Sequence, residues 1–507
     1  MSWIRPTLLT LELMCFSGLI AAMIGVALAW SVSQLNTTSR FLRLIRLYVL
    51  LCAITALAVP MILHAAAWEA TAGKFGWLTF SQTAARTYTG FAGQYGGMVA
   101  CAWVHGLVGA ALVALATWFG MTRIPVAVSE QARLDGQWGT AWWRVLLPIA
   151  WPWVVGALLI VTMLAATEMT VVNLYGVRTL ADEFYLRHAH QPSSVSLLMV
   201  LVAPAALCIG IVTWATTLRR RIPPWSSKAV AREPISEAGG VARGIAVMLA
   251  LSLATLLTVF PLSGLVLKTG HQVTVDADTG DASIGWSLQQ VSTTLGRAPA
   301  EFGREYVWTM ILACLVPLLC VPLAWGLGAV SRSRAKLRSV LDFGSLLMFL
   351  IPGPMVGLLV IRFFAVPVPG FRELYTTSLL PTVLALSFRA LPICYWILRT
   401  GYAATDTAVL DQASLELSWW RRLWWIDRGL LARPLALATL ISAVYSSGDV
   451  PATLPVVPPE VVTVGTRLFA LLHSGARYQE AALAFWYVAA VVTVTLLMTV
   501  RWKPLDP

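Results

Sequence analysis

The sequence has little charge, and it lacks the short motifs by which many enzymes are recognised. Only 12% of its 507 residues are charged, compared with about 25% in an average soluble domain, and 58% are hydrophobic. This composition excludes a soluble globular protein. No phosphate-binding G-x-x-x-x-G-K-[ST] loop is present, because Gly73-Lys74 is followed by Phe75 and has no upstream glycine. H-E-x-x-H, G-x-S-x-G and dinucleotide-binding glycine motifs are also missing, so we do not expect an enzyme.

Cysteine and histidine patterns give little support for a disulfide or a metal site. The seven cysteines lie inside apolar runs without C-x-x-C spacing, which is typical of small buried side chains. His188 and His190 follow Asp182 and Glu183, but residues two apart share a face only on a strand, and no strand is expected there. We therefore expect a solvated loop at this position and no metal site in the chain.

What the sequence does contain is a series of apolar runs of about 20 residues, the length that a helix needs to cross about 30 Å of hydrocarbon. Strands of an outer-membrane barrel would be shorter and would alternate in polarity. We predict an all-α polytopic membrane protein with about 11, and up to about 12, transmembrane helices. The predicted spans are residues 8–30, 44–67, 98–119, 149–170, 196–217, 244–267, 307–330, 340–364, 376–398, 434–456 and 481–500.

The basic residues predict how these helices are oriented. With the C-terminus in the cytoplasm, the cytoplasmic segments hold 23 Lys and Arg residues and the outside segments hold 12, as the positive-inside rule requires. An odd number of spans then places the N-terminus outside. The first span ends in a sequence that resembles a signal-peptidase site, but its length and Glu12 favour a helix that is retained. The net charge of +12 thus indicates orientation and not nucleic-acid binding.

A basic, Pro- and Ser-rich stretch divides the chain into two parts. We predict a first half at residues 1–218 with five spans, a cytoplasmic linker at 219–243, and a second half at 244–507 with six spans. A constant offset of 281 residues superimposes residues 130–148, in the cytoplasmic loop at 123–148, on residues 411–429, in the loop at 401–430, without a gap; we call this alignment the repeat register. Identical pairs in the repeat register are Gly120/Gly401, Gln131/Gln412, Ala132/Ala413, Leu134/Leu415, Trp138/Trp419 and Trp143/Trp424.

The two loops also share their charge pattern and their position relative to the membrane. Conservative pairs in the repeat register are Glu130/Asp411, Asp135/Glu416 and Glu168/Asp449. Six spans separate the loops, so both lie on one side and the repeat is parallel. Each loop begins with a short helical pattern, which Gly136 can end in the first loop, and Pro148 suits the first turn of the next span. A short helix with exposed apolar and acidic residues needs a protein partner that covers it.

These loops resemble those of the membrane permeases of bacterial binding-protein-dependent ABC importers. The family loop reads Glu-Ala-Ala, three residues, Gly, and ends in hydrophobic-x-Leu-Pro. The first loop matches this pattern at Glu130, Ala132, Gly136, Val145, Leu147 and Pro148. It departs at Gln131, and its spacing from Gly136 to Pro148 is one residue shorter.

The second loop departs further from the family pattern. Asp411 and Ala413 fit, but Leu417 replaces the glycine and Arg428-Gly429 replaces Leu-Pro. The resemblance implies that each loop forms a coupling helix in a groove of a separate ATP-binding subunit. Whether the second loop couples as well as the first stays open. The residues expected at these contacts are Glu130, Gln131, Ala132, Asp135, Gly136, Pro148, Asp411, Gln412, Ala413 and Glu416.

Two fused halves in one chain resemble the iron(III) importer permeases most, with thiamine permeases next, and residues 447–475 resemble the corresponding stretch of the iron type. The resemblance implies a multi-pass protein of the bacterial inner (plasma) membrane. It further implies two partners: a cytoplasmic ATP-binding subunit dimer, which uses ATP and Mg, and an extracytoplasmic substrate-binding protein. This chain would bind no cofactor itself. The transported substrate stays open, because specificity in this family resides largely in the binding protein.

One pair of acidic residues in the repeat register has a predicted role of its own. Glu168 and Asp449 lie about 30 Å of helix beyond their loops, so we expect them near the outer mouth. There they would line the pathway or contact the binding protein, unless they are bonded locally at helix ends.

An ion-gradient-driven secondary transporter would also have parallel halves, but it should carry several ionisable groups at mid-membrane, where only Glu12 and Arg389 are candidates.

Overall fold

The structure is a computed structural model, and it describes residues 3–35, 39–73, 96–134, 141–190, 210, 240–275, 282–405, 407–474 and 478–501. The predicted fifth span and most of the linker lie outside the described residues. Asp135 and Gly136 of the first coupling loop lie outside them as well.

Helices make up nearly all of the described chain. In the first half they are α1 (Ile4–Ser33), α2 (Arg40–Ala58), α3 (Met61–Ala72), α4 (Met98–Met121), α5 (Val126–Leu134), α6 (Leu147–Thr167), α7 (Thr170–Leu174) and α8 (Leu180–His190). They continue with α9 (Gly240–Ala254), α10 (Phe260–Thr269), α11 (Leu288–Glu301), α12 (Gly303–Ser333), α13 (Ala335–Leu350), α14 (Gly353–Phe364), α15 (Phe371–Thr377) and α16 (Leu380–Ala404). The last are α17 (Thr407–Glu416), α18 (Trp419–Arg422), α19 (Arg428–Leu430), α20 (Ala432–Gly448), α21 (Val464–Ser474) and α22 (Gln479–Arg501).

Eight helices of the described chain are long and apolar enough to cross a membrane, and the number rises to ten if each of two bent pairs is one span. The prediction of a helical, polytopic membrane protein is therefore confirmed. Every predicted span that falls in the described chain overlaps one of these helices. Their apolar side chains face both the interior and the outer surface, as expected where lipid replaces water.

Two predicted spans are wrong as continuous helices, because a proline interrupts each of them. In span 44–67, Val59-Pro60 separates α2 from α3. In span 340–364, Ile351-Pro352 separates α13 from α14, and these two helices meet at 105°. The residue before each proline is extended, since the proline ring disfavours a helical conformation there, and proline has no N–H to continue the ladder.

The same three-helix contact occurs in both halves of the chain. In the first half α1, α4 and α6 pack against one another, and in the second half α12, α16 and α20 do so. Each trio encloses its own apolar cluster. The trios place the coupling loops at one end of their helices and Glu168 and Asp449 at the other.

The two halves are joined by an exchange of short helices at the end that carries Glu168 and Asp449. Helix α3 of the first half packs on α21 of the second, and α14 of the second half packs on α8 of the first. Phe184 of α8 is fully buried against Met355 and Val356 of α14. The close approach at Gly448, where an added Cβ would collide with Pro60, brings the end of α20 onto the break between α2 and α3.

One short hairpin accompanies the helices: His271–Val275 and Ala282–Trp286 form two antiparallel strands, β1 and β2, with His271 opposite Trp286. One local prediction needs correction, because the loop expected at His188–His190 is the last turn of α8. Asp182 and Glu183 in the first turn of that helix suit its positive end, and this explains why the segment is helical.

Candidate functional site: two matched loops and two matched acids

Helices α5 and α17, which we call the coupling helices after the role that the family resemblance implies, present their residues alike. Glu130 and Gln131 of α5 are exposed, and so are Asp411 and Gln412 of α17. Ala132 and Ala413 are buried, which anchors each helix to the body of the protein through a small side chain. Glu416 at the end of α17 is exposed.

The most exposed apolar side chains of the coupling helices occupy equivalent positions. Leu134 is 86% exposed and Leu415 is 88% exposed, and the repeat register pairs these two leucines. Their exposure could not be read from the repeat, because leucine at a helical position is usually buried. Each coupling helix therefore presents one exposed leucine close to an acidic residue. We call Leu134 and Leu415 the two knobs.

Each coupling helix is followed by a π-helical turn in the same register. These turns span Trp142–Leu146 and Leu423–Asp427. In the first half the turn runs straight into α6, so the helix that crosses the membrane begins at Trp142 and not at 149 as predicted. Pro148 consequently lies in the second turn of a continuous helix, where the π-helical turn accommodates its missing N–H.

Close packing behind the coupling helices also follows the repeat register. A Cβ at Gly120 would lie 2.6 Å from Cδ1 of Trp153, and a Cβ at Gly401 would lie 2.7 Å from Cγ of Pro434. Residues 153 and 434 are themselves a pair in this register. Only glycine fits both positions, which explains why the sequence pairs them.

A polar cluster under the second coupling helix has no counterpart in the first half. The hydroxyl of Tyr402 donates to Oδ2 of Asp427 at 2.8 Å, and Nε of Arg422 lies 3.5 Å from the same oxygen. The equivalent residues of the first half are apolar: Met121, Leu146 and Ala141. Arg332 of α12 also donates to Oδ1 of Asp411 at 3.2 Å, so one ion pair at the surface joins the second coupling helix to α12.

Glu168 ends α6 and caps the helix that follows. One of its carboxylate oxygens accepts from the backbone N–H of Thr170, and the other accepts from Val171 at 2.9 Å. Nε2 of His105, in the N-terminal half of the membrane helix α4, lies 3.5 Å from Oε2 of Glu168. The carboxylate thus accepts two backbone hydrogen bonds, and the imidazole of His105 lies beside it.

Asp449 ends α20 in the same way. Its Oδ1 accepts from the backbone N–H of Ala452 at 3.0 Å, which is the equivalent of Val171. Nε of Arg389 lies 3.4 Å from its Oδ2, and Nη1 of Arg389 donates to the carbonyl of Ile351 at 2.8 Å. Arg389 therefore ties the end of α20 to the break between α13 and α14.

The side chains of Glu168 and Asp449 are both largely buried. The side chain of Glu168 is 13% exposed and that of Asp449 is 5% exposed. Both are bonded locally at helix ends, the alternative that the sequence left open. A role in lining the pathway or contacting a binding protein stays a prediction.

Several ionisable contacts could not be found from the sequence. His105 lies in an apolar run, and its partner Glu168 belongs to the end of a different helix. Lys268 of α10 forms a buried ion pair with Glu480 of α22, far along the chain. Since each group faces its partner only after folding, a hydropathy pattern shows an isolated charge and not the pair.

A chain of polar contacts joins the halves on the side of Glu168. Nε2 of His473 lies 3.0 Å from Oδ1 of Asn173, whose amide nitrogen donates to Oδ1 of Asp182 at 2.8 Å. Burial raises the pKa of Asp182, and the hydrogen bond from Asn173 acts in the opposite direction. In the part of the chain that the structure describes, no group of three or more His, Cys, Asp or Glu side chains could hold a metal ion.

Comparison with known proteins does not assign a family. No protein-family model matches the chain, and no curated protein matches it. The assignment of function depends on the residues described above and on the resemblance of the two loops.

Proposed function

We propose that the chain is the permease subunit of an ATP-driven ABC importer, in which one polypeptide supplies both halves of the pathway. The observation that supports this most is the matched pair of exposed knobs, Leu134 and Leu415, each beside an acid and above a buried alanine. Two equivalent knobs on one side suit two equivalent grooves, as an ATP-binding subunit dimer would offer.

The repeat supports two permease halves related by an axis along the membrane normal. The π-helical turns, the glycine contacts and the capped acids all recur in the repeat register. In the proposed orientation the N-terminus is outside, and the coupling helices and the C-terminus face the cytoplasm of a bacterial cell, whose inner membrane the chain crosses. Closure of the ATPase dimer beneath the coupling helices would move the trios between outward and inward access.

For the substrate we propose iron(III), delivered by an extracytoplasmic binding protein. Support comes from the resemblance of residues 447–475 to iron-type permeases. Thiamine or another small solute is the alternative. Measuring what the binding protein of the same gene cluster retains after purification tests the substrate separately from the transport mechanism.

Reconstitution of the chain in liposomes tests the mechanism. With its ATP-binding subunit and binding protein, we expect uptake that requires ATP and stops without the ATPase. Leu134→Asp should abolish this uptake, because a carboxylate cannot enter an apolar groove, while Leu134→Met should keep it as the matched control. Uptake that proceeds from an ion gradient without the ATPase would contradict the proposal.

A secondary transporter is the second candidate, and one observation favours it. The buried pairs His105–Glu168 and Arg389–Asp449 place more ionisable groups inside the protein than the sequence indicated. If these groups carried protons, His105→Gln would abolish gradient-driven uptake in liposomes that contain the chain alone. An ATP-driven importer would show no such uptake in wild type or variant.

A further inference from the structure

The segment Trp419–Leu430, between the second coupling helix and α20, is nearly perpendicular to α20. It meets α20 (Ala432–Gly448) at 85°. In the proposed arrangement α20 crosses the membrane, and a helix at nearly a right angle to its end then lies close to the membrane plane. We call Trp419–Leu430 the interfacial segment.

One face of the interfacial segment is fixed to the protein. Leu423 packs in the apolar cluster with Ala329 and Tyr402, and Asp427 is fully buried beside Arg422. The only acid of the segment is thus hidden. The exposed face carries no negative charge.

The opposite face combines exposed tryptophans with exposed arginines. Trp420 is 75% exposed and Trp425 is 74% exposed. Arg421 and Arg428 are exposed too, and the guanidinium of Arg428 lies 5.0 Å from the ring centroid of Trp424. Tryptophan rings prefer the headgroup level of a bilayer, and arginine binds phosphate through paired N–H groups.

We propose that the interfacial segment binds anionic phospholipid headgroups of the leaflet on which it lies. The tryptophans seat the segment at the boundary of headgroups and acyl chains, and Arg421 and Arg428 bind the lipid phosphates. Charge complementarity and the position at the end of a membrane span favour lipid over a protein partner. The site does not depend on which energy source drives transport.

The first half serves as an internal comparison. The positions equivalent to Arg421 and Arg428 hold Thr140 and Leu147. The exposed Arg144 stands where the second half has Trp425. The two arginines of the proposed site therefore have no basic equivalents in the first half.

Native mass spectrometry of the purified full chain, titrated with phosphatidylglycerol or phosphatidylcholine, tests the proposal. We expect preferential retention of phosphatidylglycerol by the wild type and about tenfold weaker apparent affinity in R421Q/R428Q. R421K/R428K keeps the charge and should retain the preference, which shows that the substitution sites tolerate change. The matched control R123Q/R144Q in the first loop should bind as the wild type does.

Three results would overturn the proposal. One is equal retention of phosphatidylglycerol by R421Q/R428Q and the wild type. Another is equal retention of both lipids by the wild type, since charge would then play no part. The third is a loss of binding to the ATP-binding subunit in R421Q/R428Q with unchanged lipid affinity, which would make the segment a protein interface.

Discussion

Helices α4 and α16 occupy equivalent places in the two halves, but different chemistry holds them. Four polar side chains of α16 bond to neighbouring elements: Arg389, Tyr395, Arg399 and Tyr402. Their equivalents in α4 are Val108, Ala114, Trp118 and Met121. Apart from His105, which faces Glu168, helix α4 packs through small residues, since a Cβ at Gly109 would lie only 2.6 Å from Val161 of α6.

Two halves that share a sequence repeat can therefore differ in how rigidly their helices are held together. Close-packed small residues hold helices together by shape, and such contacts are non-directional. A buried ion pair is directional, and separating it exposes charge to a low dielectric. We therefore expect the second half to move as a unit and the first half to accommodate displacement between its helices.

Removing Arg389 should give the largest effect. Arg389→Leu removes the only cationic partner that the structure shows for the buried Asp449 in the described chain, and we expect a loss of about 3–5 kcal/mol in the free energy of unfolding. His105→Leu should cost less, about 1–3 kcal/mol, because Glu168 keeps two backbone donors. Denaturant unfolding of the purified chain in detergent measures both.

The double variant R389L/D449L provides the control for this comparison. It removes both charges and should recover part of the stability lost in Arg389→Leu. Equal losses in Arg389→Leu and His105→Leu would break the distinction between the two halves.

Changes in the polar cluster of Tyr402, Arg422 and Asp427 should have an intermediate effect on the free energy of unfolding. Asp427→Leu alone leaves Arg422 without its partner and should cost about 2–3 kcal/mol. The triple variant Y402M/R422A/D427L copies the residues of the first half and should lie within about 1 kcal/mol of the wild type. A triple variant less stable than Asp427→Leu in the same unfolding assay would refute the equivalence of the two clusters.

Substitutions at the matched glycines should give the smallest effects. Gly120→Ala and Gly401→Ala each place a Cβ within 2.7 Å of a neighbour, and we expect both to cost about 1–3 kcal/mol through overpacking. The two losses should agree within about 0.5 kcal/mol. A large loss at only one glycine would show that the close approach is not shared.

The sequence predicted those features that depend on local pattern. Hydropathy located the apolar helices in the part of the chain that the structure describes, and the repeat register anticipated the matched positions of α5 and α17 and of the two acids that cap helices. The proline breaks were missed, since Pro60 and Pro352 each stand inside an apolar run whose hydropathy continues on both sides. A proline in such a run can kink a helix or end it, and tertiary packing decides between the two.

Ion pairs between residues far apart in the chain could not be predicted from the sequence, for a different reason. The partners Lys268 and Glu480 carry no shared motif, and nothing in either apolar run shows that α10 and α22 are neighbours. The exposure of Leu134 and Leu415 likewise depends on which faces of α5 and α17 the trios cover. The surroundings of these side chains are therefore known only from the folded structure. The sequence shows only that equivalent residues recur in the two halves.

The number of ATP-binding subunits held by one chain tests the central claim most directly. Native mass measurement of the purified complex should give two subunits per chain, because the two knobs are equivalent. Leu134→Asp or Leu415→Asp should each weaken the complex, and the double variant should hold none. Two subunits still bound to the double variant, or none bound to the wild type, would contradict the account.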